Sequence, residues 1–486
     1  MASKKIWDAI VVGGGVVGCA VLRELTVHRG WRCLLIEASS HLVAGASSGN
    51  TGIACTASDV TPGTIEHSCL VEGTRLNVPT YRALNVPHRT SGSLYVAHSR
   101  ADMAVLERER ATRAQRGDLE PVLKSAHEVR TLEPALDTSA AGGLLLPRET
   151  VVDPWLVPIA YARHAHENGA TIRRSTEVKA ATWEAGRWQL ELAAVDRVHA
   201  TATAPHQAAE IGAEMGSETS AEARVVVACG GLRGDALEAL HRTPPFGIRP
   251  RRGDYVVFDG DAALGDTPIG GVPSPTSRGV YVWRSVHGVV ACGPTAEEVT
   301  ERSTPPRATD EGVRAALRDA AITAVPALRS SAVVGTYAGL RPGSDASSDY
   351  QIESVCGDGA VGGVAGVGGA GGGGAGGGGA GGGAADGGAR PTWVTVGGIR
   401  STGLTASLGI ARHVARLVEA GLDSPPATRP PEAVRTTPLP PVAEMVDSFR
   451  ERGDGTVVFG RDEMGFGAHR VTHPLTRAGF ERMAAR

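Results

Sequence analysis

Residues 8–18 read Asp8-Ala9-Ile10-Val11-Val12-Gly13-Gly14-Gly15-Val16-Val17-Gly18. The apolar run predicts a buried strand, and the Gly-x-Gly-x-x-Gly pattern after it predicts a tight turn into a helix. Gly13 permits the turn, Gly15 lets the backbone approach a pyrophosphate, and Gly18 lets helix and strand pack closely. A second strand over 33–37 ends in Glu37, which can accept hydrogen bonds from an adenosine ribose. This fingerprint predicts a βαβ dinucleotide site and fits NAD, NADP or FAD, although Glu37 disfavours a 2′-phosphate.

Length and composition limit the class of protein. A chain of 486 residues is too long for one ordinary core, so at least two domains are expected. Its 49 basic and 52 acidic residues give a net charge of −3 with no basic stripe, so we expect no nucleic-acid partner. No apolar run suggests a signal peptide or a transmembrane segment. The seven cysteines include no Cys-x-x-Cys, which indicates a reducing compartment and no metal site. We expect an intracellular protein, cytoplasmic in the first instance, with a mitochondrial or membrane-peripheral location as alternatives.

Strand–glycine–helix patterns recur at the start, middle and end of the chain, and β-rich runs lie between them. This order predicts a mixed α/β (α+β) fold in which a Rossmann-like nucleotide-binding domain is interleaved with an antiparallel-sheet substrate domain. The expected nucleotide domain comprises 6–79, 143–232 and 391–422, and the expected substrate domain comprises 80–142 and 240–352. We also expect flexible insertions at 204–222 and 357–389, and a Pro-rich linker with a C-terminal extension at 423–486.

Several further blocks follow the fingerprint in order. They are Gly45-Ala46-Ser47-Ser48-Gly49-Asn50-Thr51-Gly52, Pro62-Gly63-Thr64, Val286-His287-Gly288 with Gly293-Pro294-Thr295-Ala296, Tyr337-Ala338-Gly339-Leu340-Arg341-Pro342, and Gly397-Gly398-Ile399-Arg400-Ser401-Thr402-Gly403-Leu404-Thr405-Ala406. Over residues 6–420 the chain thereby resembles the D-amino-acid-oxidase-like FAD-dependent oxidoreductases, closest to the branch of glycerol-3-phosphate dehydrogenases/oxidases and L-2-hydroxyglutarate dehydrogenases. Some members of this branch carry a cysteine-rich iron–sulfur module at the C-terminus, whereas the tail of this chain contains no cysteine.

The resemblance implies FAD as the cofactor. Short polar groups at 47–50 would wrap the pyrophosphate and the ribityl chain, and Val178 would lie beside the adenine. The helix that opens at Gly403 would direct its N-terminal amides and dipole at the N1/C2=O edge of the flavin. The predicted cofactor-binding residues are Gly13, Gly15, Val16, Val17, Gly18, Glu37, Ala38, Ser47, Ser48, Asn50, Gly52, Val178, Ala228, Gly230, Gly398, Gly403, Leu404 and Thr405.

The resemblance also implies the catalytic residues. Arg341 would bind the carboxylate or phosphate of the substrate through its fork of donors, with Arg252 as a second phosphate contact. Glycerol-3-phosphate oxidases place a histidine in the loop after Asn-Ser-Gly, and Cys55 stands at that position here. A thiol is a poorer proton acceptor than an imidazole at neutral pH. His287, His67 or the thiolate of Cys55 could serve as the base, and Cys55 could alternatively attach the flavin covalently.

The expected activity is the oxidation of a small anionic secondary alcohol by hydride transfer to flavin N5, with sn-glycerol 3-phosphate as the leading substrate. L-2-Hydroxyglutarate dehydrogenase, amino-acid or amine oxidase, and a non-catalytic FAD-binding protein are the alternatives. The electron acceptor stays open between oxygen, a quinone and another flavoprotein.

Overall fold

A computed structural model of the protein describes residues 5–57, 59–118, 120–195, 219–259, 264–273, 279–356, 360–361, 392–422, 426, 434–459 and 466–486. Most of the predicted insertions 204–222 and 357–389 lies outside these residues, as does most of 423–433. Residues 220–222, which the sequence assigned to an insertion, begin a long strand instead. The division into domains stays a prediction, and the fold is described below by its sheets.

The strands of the described residues are β1 (Ile6–Val12), β2 (Cys33–Ile36), β3 (Ile53–Ala54), β4 (His88–Thr90), β5 (Ser93–Ala97), β6 (Val122–Ser125), β7 (Gly142–Leu146), β8 (Thr150–Val152), β9 (Thr171–Arg173), β10 (Thr176–Glu184), β11 (Arg187–Ala194), β12 (Ser220–Ala228), β13 (Ile248–Phe258), β14 (Ile269–Gly270), β15 (Tyr281–Arg284), β16 (Val290–Gly293), β17 (Glu297–Glu298), β18 (Val333–Ser344), β19 (Gln351–Cys356), β20 (Ala360–Val361), β21 (Thr392–Gly397), β22 (Thr456–Val458) and β23 (Ala468–Arg470).

The α-helices are α1 (Val16–Arg23), α2 (Ile65–Ala83), α3 (Arg100–Gln115), α4 (Ala126–Leu132), α5 (Leu156–Glu167), α6 (Gly234–Glu238), α7 (Glu311–Ala324), α8 (Gly403–Gly421), α9 (Val442–Arg452) and α10 (Pro474–Ala484). Asp153 lies just before α5. Its carboxylate accepts the amide of Trp155 at 2.8 Å and the amide of Leu156, the first residue of α5, at 2.7 Å. None of the described helices has the length and apolar composition that a membrane span requires.

The first large sheet has a parallel centre, β21-β12-β1-β2-β9, and antiparallel strands at its flanks. Its central strands are buried on both faces, which explains their almost continuous apolar sequences. Alternate residues of β1 supply two different cores. Ala9 and Val11 pack toward α1, α5 and α8, whereas Ile10 packs toward Trp188 of β11. The fingerprint turn therefore starts from a rigid strand in the middle of the sheet.

The second large sheet has the order β17-β13-β16-β15-β14-β5-β7-β6, with β18 on the other side of β13. It is antiparallel as expected, except that β14 pairs in parallel with β5. The long β13–β18 pair runs from Ile248 opposite Ser344 to Phe258 opposite Val333. Mixed α/β architecture with an antiparallel second sheet is thus confirmed, and the pair β13–β18 forms the wall that faces the first sheet across a large cavity.

Candidate active site

The fingerprint turn has a conformation that only glycine fits. Gly13 has φ +113°, and a Cβ at this position would overlap the carbonyl oxygen of Cys229. A Cβ at Gly18 would likewise overlap the carbonyl oxygen of Gly13, so α1 packs directly on the end of β1. The helix N-terminus, where backbone amides lack intrahelical acceptors, faces the cavity and suits an anion.

Glu37 lies at the end of β2, at the rim of the same cavity. Its Oε2 accepts the Gly14 amide at 2.6 Å, and its Oε1 accepts the Ser39 amide at 2.7 Å. These bonds fix the carboxylate beside the fingerprint turn. A fixed acceptor at the second strand end is the geometry that recognises ribose hydroxyl groups.

A single cavity of 1690 Å³ joins the fingerprint to the second sheet. Of the predicted cofactor-binding residues, its walls include Gly13, Gly15, Val16, Val17, Gly18, Glu37, Ala38, Ser47, Asn50, Val178, Gly230, Gly403 and Leu404. Five predicted residues, all within the described part of the chain, stand behind the walls: Ser48, Gly52, Ala228, Gly398 and Thr405. Each is the neighbour of a lining residue, so every predicted segment reaches the cavity, and the contacts with a cofactor stay predictions.

The segment 45–52, which we call the cofactor loop, is tied to the fingerprint helix and closed on itself. Ser47 Oγ accepts the Val16 amide at 3.0 Å and so satisfies one of the first amides of α1. Asn50 Nδ2 donates to Ser47 O at 3.0 Å, and Asn50 Oδ1 accepts the Gly52 amide at 2.8 Å. Asn50 therefore shapes the loop with its side chain, and because it also lines the cavity its contact with the cofactor stays a prediction.

The N-terminus of α8 lines the cavity through Gly403 and Leu404. Next to it, Thr402 donates to Glu66 at 2.6 Å and lies 2.6 Å from the hydroxyl of Tyr350. Cys55 lines the cavity, and its Sγ lies 3.6 Å from Thr405 Oγ1. The first-turn amides of α8 favour negative charge at this wall.

Arg251 and Arg341 define the far end of the cavity. They are direct cross-strand partners in the antiparallel pair β13–β18, so their side chains leave the same face, and both line the cavity. A Cβ at Gly253 would overlap the guanidinium of Arg341, which therefore lies over this glycine and donates to Thr295 O at 2.9 Å. Two guanidinium groups on one wall can receive an anion together, although Arg251 Nε also lies 3.4 Å from Glu298 Oε1.

Two tyrosines on the same strand face complete this wall. Tyr255 lies opposite Tyr337, and their rings stack with centroids 4.3 Å apart and planes 8° apart. Burial raises the pKa of Tyr255, although the Arg341 guanidinium opposes the rise, so the phenol stays protonated at neutral pH. Between the arginine pair and the tyrosine pair, Gly339 touches Gly49 of the cofactor loop so closely that no Cβ fits. The missing side chains let the loop and the sheet meet.

Some predicted substrate residues lie elsewhere. Arg252 points away from the cavity because side chains alternate along β13. It is 2% exposed, and it pairs with Asp254 at 2.6 Å and with Glu301 at 3.5 Å. Arg252 is therefore not placed to contact a phosphate in the cavity, whereas its neighbour Arg251 lines the cavity wall. The alternative base His67 lies on α2, among the described residues that do not line the cavity.

His287 is also separated from the cavity walls of the described chain. Its Nε2 donates to Asp153 Oδ2 at 2.5 Å, and Thr476 Oγ1 donates to Asp153 Oδ1 at 3.0 Å. Although burial opposes it, the hydrogen bond and charge of His287 lower the pKa of Asp153. The imidazole packs against Gly479 and Phe480 of α10. His287 therefore connects the start of α5 with α10 inside the protein, away from the cavity where a substrate base would lie.

Sequence reasoning missed three lining residues. Arg251 and Tyr255 lie on one face of β13, opposite Arg341 and Tyr337 of β18, and only the pairing of these two strands shows that this face meets the cavity. Arg113 of α3 also lines the cavity, although the sequence of α3 is highly charged. Its burial beside Glu109, at 2.8 Å, comes from tertiary packing that no local pattern reports.

Comparisons with known proteins agree with this geometry. A sequence profile described as "FAD dependent oxidoreductase" matches residues 8–417. Glycerol 3-phosphate dehydrogenase of Caloramator mitchellensis is 26% identical over 363 residues, 74% of this chain and 70% of that protein. Mitochondrial L-2-hydroxyglutarate dehydrogenase of Nematostella vectensis is 27% identical over 300 residues, 60% of this chain and 62% of that protein. The structure of dithionite-reduced L-alpha-glycerophosphate oxidase from Mycoplasma pneumoniae with FAD bound matches with a TM-score of 0.69 at 22% identity, over 90% of this chain and 99% of that one.

Proposed function

This chain belongs to the FAD-dependent oxidoreductase family, and we propose that it oxidises a small anionic secondary alcohol, with sn-glycerol 3-phosphate as its substrate. The observation that carries the proposal is the pair Arg251 and Arg341, directly opposed on the wall of the cavity. The name of the Caloramator mitchellensis relative supports the same substrate.

The cavity fits FAD by its shape and its donors. Its 1690 Å³ exceeds the roughly 300–1,000 Å³ that suffices for a drug-sized ligand, so a dinucleotide and a small substrate can occupy it together. Glu37 would hold the ribose, the amides at the start of α1 would hold the pyrophosphate, and the N-terminus of α8 would face the ring system. When bound, FAD supplies the two-electron acceptor that no side chain of the protein can provide.

The arginine pair favours a phosphate monoester over a carboxylate. Like charges directly opposite each other on a sheet repel, so the pair is stabilised most by a ligand that brings two negative charges to one point. A phosphate monoester does this with a single group, and its oxygens can accept from both forks. A dicarboxylate carries its two charges at opposite ends of a carbon chain, and only one end can reach the pair.

The same wall orients the bound alcohol and keeps water out. With the anion held at Arg251 and Arg341, the carbinol carbon would lie between the arginine pair and the N-terminus of α8, a fixed placement that lowers the entropic part of the barrier. The stacked rings of Tyr255 and Tyr337 close this side of the cavity. The hydroxyl proton must leave as the carbon is oxidised, and Cys55 Sγ is the predicted proton acceptor that lines the cavity. Only its thiolate form can take that proton.

The test is anaerobic bleaching of the enzyme's flavin spectrum by glycerol 3-phosphate, L-2-hydroxyglutarate and a set of amino acids. We expect fast bleaching by glycerol 3-phosphate in the wild type. In Arg251→Gln the second-order rate constant of flavin reduction by this substrate should fall by about 10²-fold. Arg251→Lys, which keeps the charge and removes the fork, should lose less. Preferential bleaching by L-2-hydroxyglutarate or an amino acid would reassign the substrate. Bound FAD that no compound bleaches would favour a non-catalytic role.

A further inference from the structure

The C-terminal segment, which the structure describes over residues 434–459 and 466–486, lies beyond the family match at 8–417 and yet joins the central core. Buried side chains of α9 and α10, among them Met445 and Phe480, belong to the same apolar cluster as Trp155 and Tyr161 of the first sheet's helices. Leu475 at the start of α10 joins the core of the second sheet. The segment therefore bridges both halves of the molecule, next to the cavity.

One residue of this segment reaches the cofactor loop. His473, at the N-cap of α10, is completely buried, and its Nε2 accepts the Asn50 amide at 3.1 Å. Its Nδ1 lies 3.3 Å from the Leu475 amide. A neutral imidazole has only one acceptor nitrogen, so the shorter contact assigns that nitrogen to Asn50. Burial lowers the pKa of His473 to about 4, which keeps the ring neutral and able to accept.

Asn50 is held from the opposite side as well. Tyr337 of β18 donates its hydroxyl to Asn50 O at 3.1 Å, and the Tyr337 ring lies edge-on to His473, with centroids 5.7 Å apart. The side chain of Asn50 continues the connection to Ser47, and Ser47 to the Val16 amide of the fingerprint helix. A chain of hydrogen bonds thus runs from the C-terminal segment through the cofactor loop to the helix that would receive the pyrophosphate.

We infer that His473 is a positioning residue that holds the cofactor loop in its FAD-binding conformation from outside the region that the family profile matches. The inference rests on the assignment of 45–52 to the cofactor, and it does not depend on which alcohol is oxidised. Without the imidazole, the Asn50 amide would lose its hydrogen-bond acceptor and the cofactor loop would lose part of its support. FAD should then bind roughly tenfold more weakly.

Two substitutions at His473 separate positioning from packing. His473→Asn keeps an oxygen where Nδ1 lies, and asparagine is a good N-cap, but its side chain is too short to reach Asn50. His473→Gln places an amide oxygen near the position of Nε2 and can still accept the Asn50 amide. The measurements are the dissociation constant of FAD, from titration of the apoprotein, and hydrogen–deuterium exchange at the Asn50 amide in that apoprotein.

We expect His473→Asn to bind FAD about tenfold more weakly and to exchange the Asn50 amide faster, while His473→Gln stays within about threefold of the wild type in both. Equal FAD affinities in the two variants would overturn the inference, because the role would then be packing. Faster Asn50 exchange in His473→Asn without weaker FAD binding would overturn it too, since the loop would not serve the cofactor. If His473→Asn does not fold, exchange in the wild-type apoprotein decides: an Asn50 amide no more protected than its loop neighbours contradicts the inference, and a protected one supports it.

Discussion

Arg251 and Arg341 stand directly opposite each other across the antiparallel strands β13 and β18, and both face the cavity. Arg341 came from a sequence block, whereas its partner became visible only through the register of the sheet. Their repulsion is relieved when an anion binds, so the two residues act as one site.

The first prediction concerns the fork of Arg341. Arg341→Lys keeps a positive charge and removes the bidentate geometry, so kcat/KM for glycerol 3-phosphate should fall by about 10- to 100-fold. FAD affinity should not change, because Arg341 belongs to the second sheet, whereas the fingerprint turn belongs to the first. Steady-state kinetics and FAD titration measure the two effects separately. A variant that loses FAD and turnover in the same proportion would contradict the assignment of Arg341 to the substrate.

The second prediction uses the space beneath that arginine. A Cβ at Gly253 would overlap the Arg341 guanidinium, so Gly253→Ala should push the side chain off the wall and raise KM by about tenfold with a smaller change in kcat. Gly335→Ala is the matched control, because it lies on the same face of β18 and a Cβ there meets no atom within 4 Å. If both variants raise KM equally, the position of Arg341 does not govern substrate binding.

The third prediction concerns the fingerprint turn. In Gly13→Ala, a residue with a side chain would have to adopt a positive φ, and its Cβ would overlap the carbonyl oxygen of Cys229. The turn must therefore shift, and the purified protein should lack flavin. Absorbance near the flavin bands relative to protein reports the FAD content. Gly312→Ala on α7, where a Cβ has open space, should retain full occupancy. A fully loaded Gly13→Ala protein would show that the turn does not contact the cofactor.

The fourth prediction concerns Cys55. If its thiolate accepts the hydroxyl proton, the rate of flavin reduction in the wild type should rise with pH, and Cys55→Ser should lose at least about tenfold in rate together with that rise. Stopped-flow reduction over a range of pH provides the test, with FAD affinity as the control for folding. An unchanged pH profile in Cys55→Ser would assign the proton to another group.

The fifth prediction concerns stability in acid. Burial lowers the pKa of His473 to about 4 and that of His164 to about 3, with the charge of Arg23 adding to the shift of His164. Each of these histidines binds fewer protons in the folded protein than in the unfolded one. Its contribution to stability is therefore complete above the pKa of the unfolded state, about 6.5, and is lost as the pH falls toward the pKa of the folded state. The free energy of unfolding should therefore decline between about pH 6.5 and 4, by up to about 3 kcal/mol from His473 alone.

Urea unfolding measured at several pH values would reveal this decline. His473→Gln removes one of the titrating groups and should flatten the curve over that range, while leaving the decline due to His164. A free energy of unfolding that stays constant from pH 7 to pH 4 would contradict the prediction.

Local signals were enough to predict much of this molecule. The fingerprint and Glu37 combine a short sequence with one adjacent element, so their pattern alone points to them. The cofactor loop and the start of α8 were predicted from the resemblance to a known family. The mixed α/β fold followed from the order of those elements. Contacts between distant segments could not be predicted in this way. Arg251 and Arg252 are neighbours with opposite directions, and only the pairing of β13 with β18 decides which one faces the cavity.

His287 and His473 also show that contacts between distant segments cannot be predicted from local sequence. A motif suggested His287 as a base, but residues of α5 and α10 enclose it. His473 stands in a segment with no motif, and its partner Asn50 is 423 positions away in the sequence. Nothing in the local pattern of either histidine reports the residues that fold against it.

The position of the first strand in its sheet has a consequence for biosynthesis. β1 lies between β2 and β12, and β12 in turn pairs with β21, while α8 and the C-terminal segment complete the core behind them. A ribosome therefore releases the cofactor-binding turn long before the strands and helices that fix it exist. The nascent chain therefore carries the apolar strand β1 without its later partners, which favours late assembly in this topology.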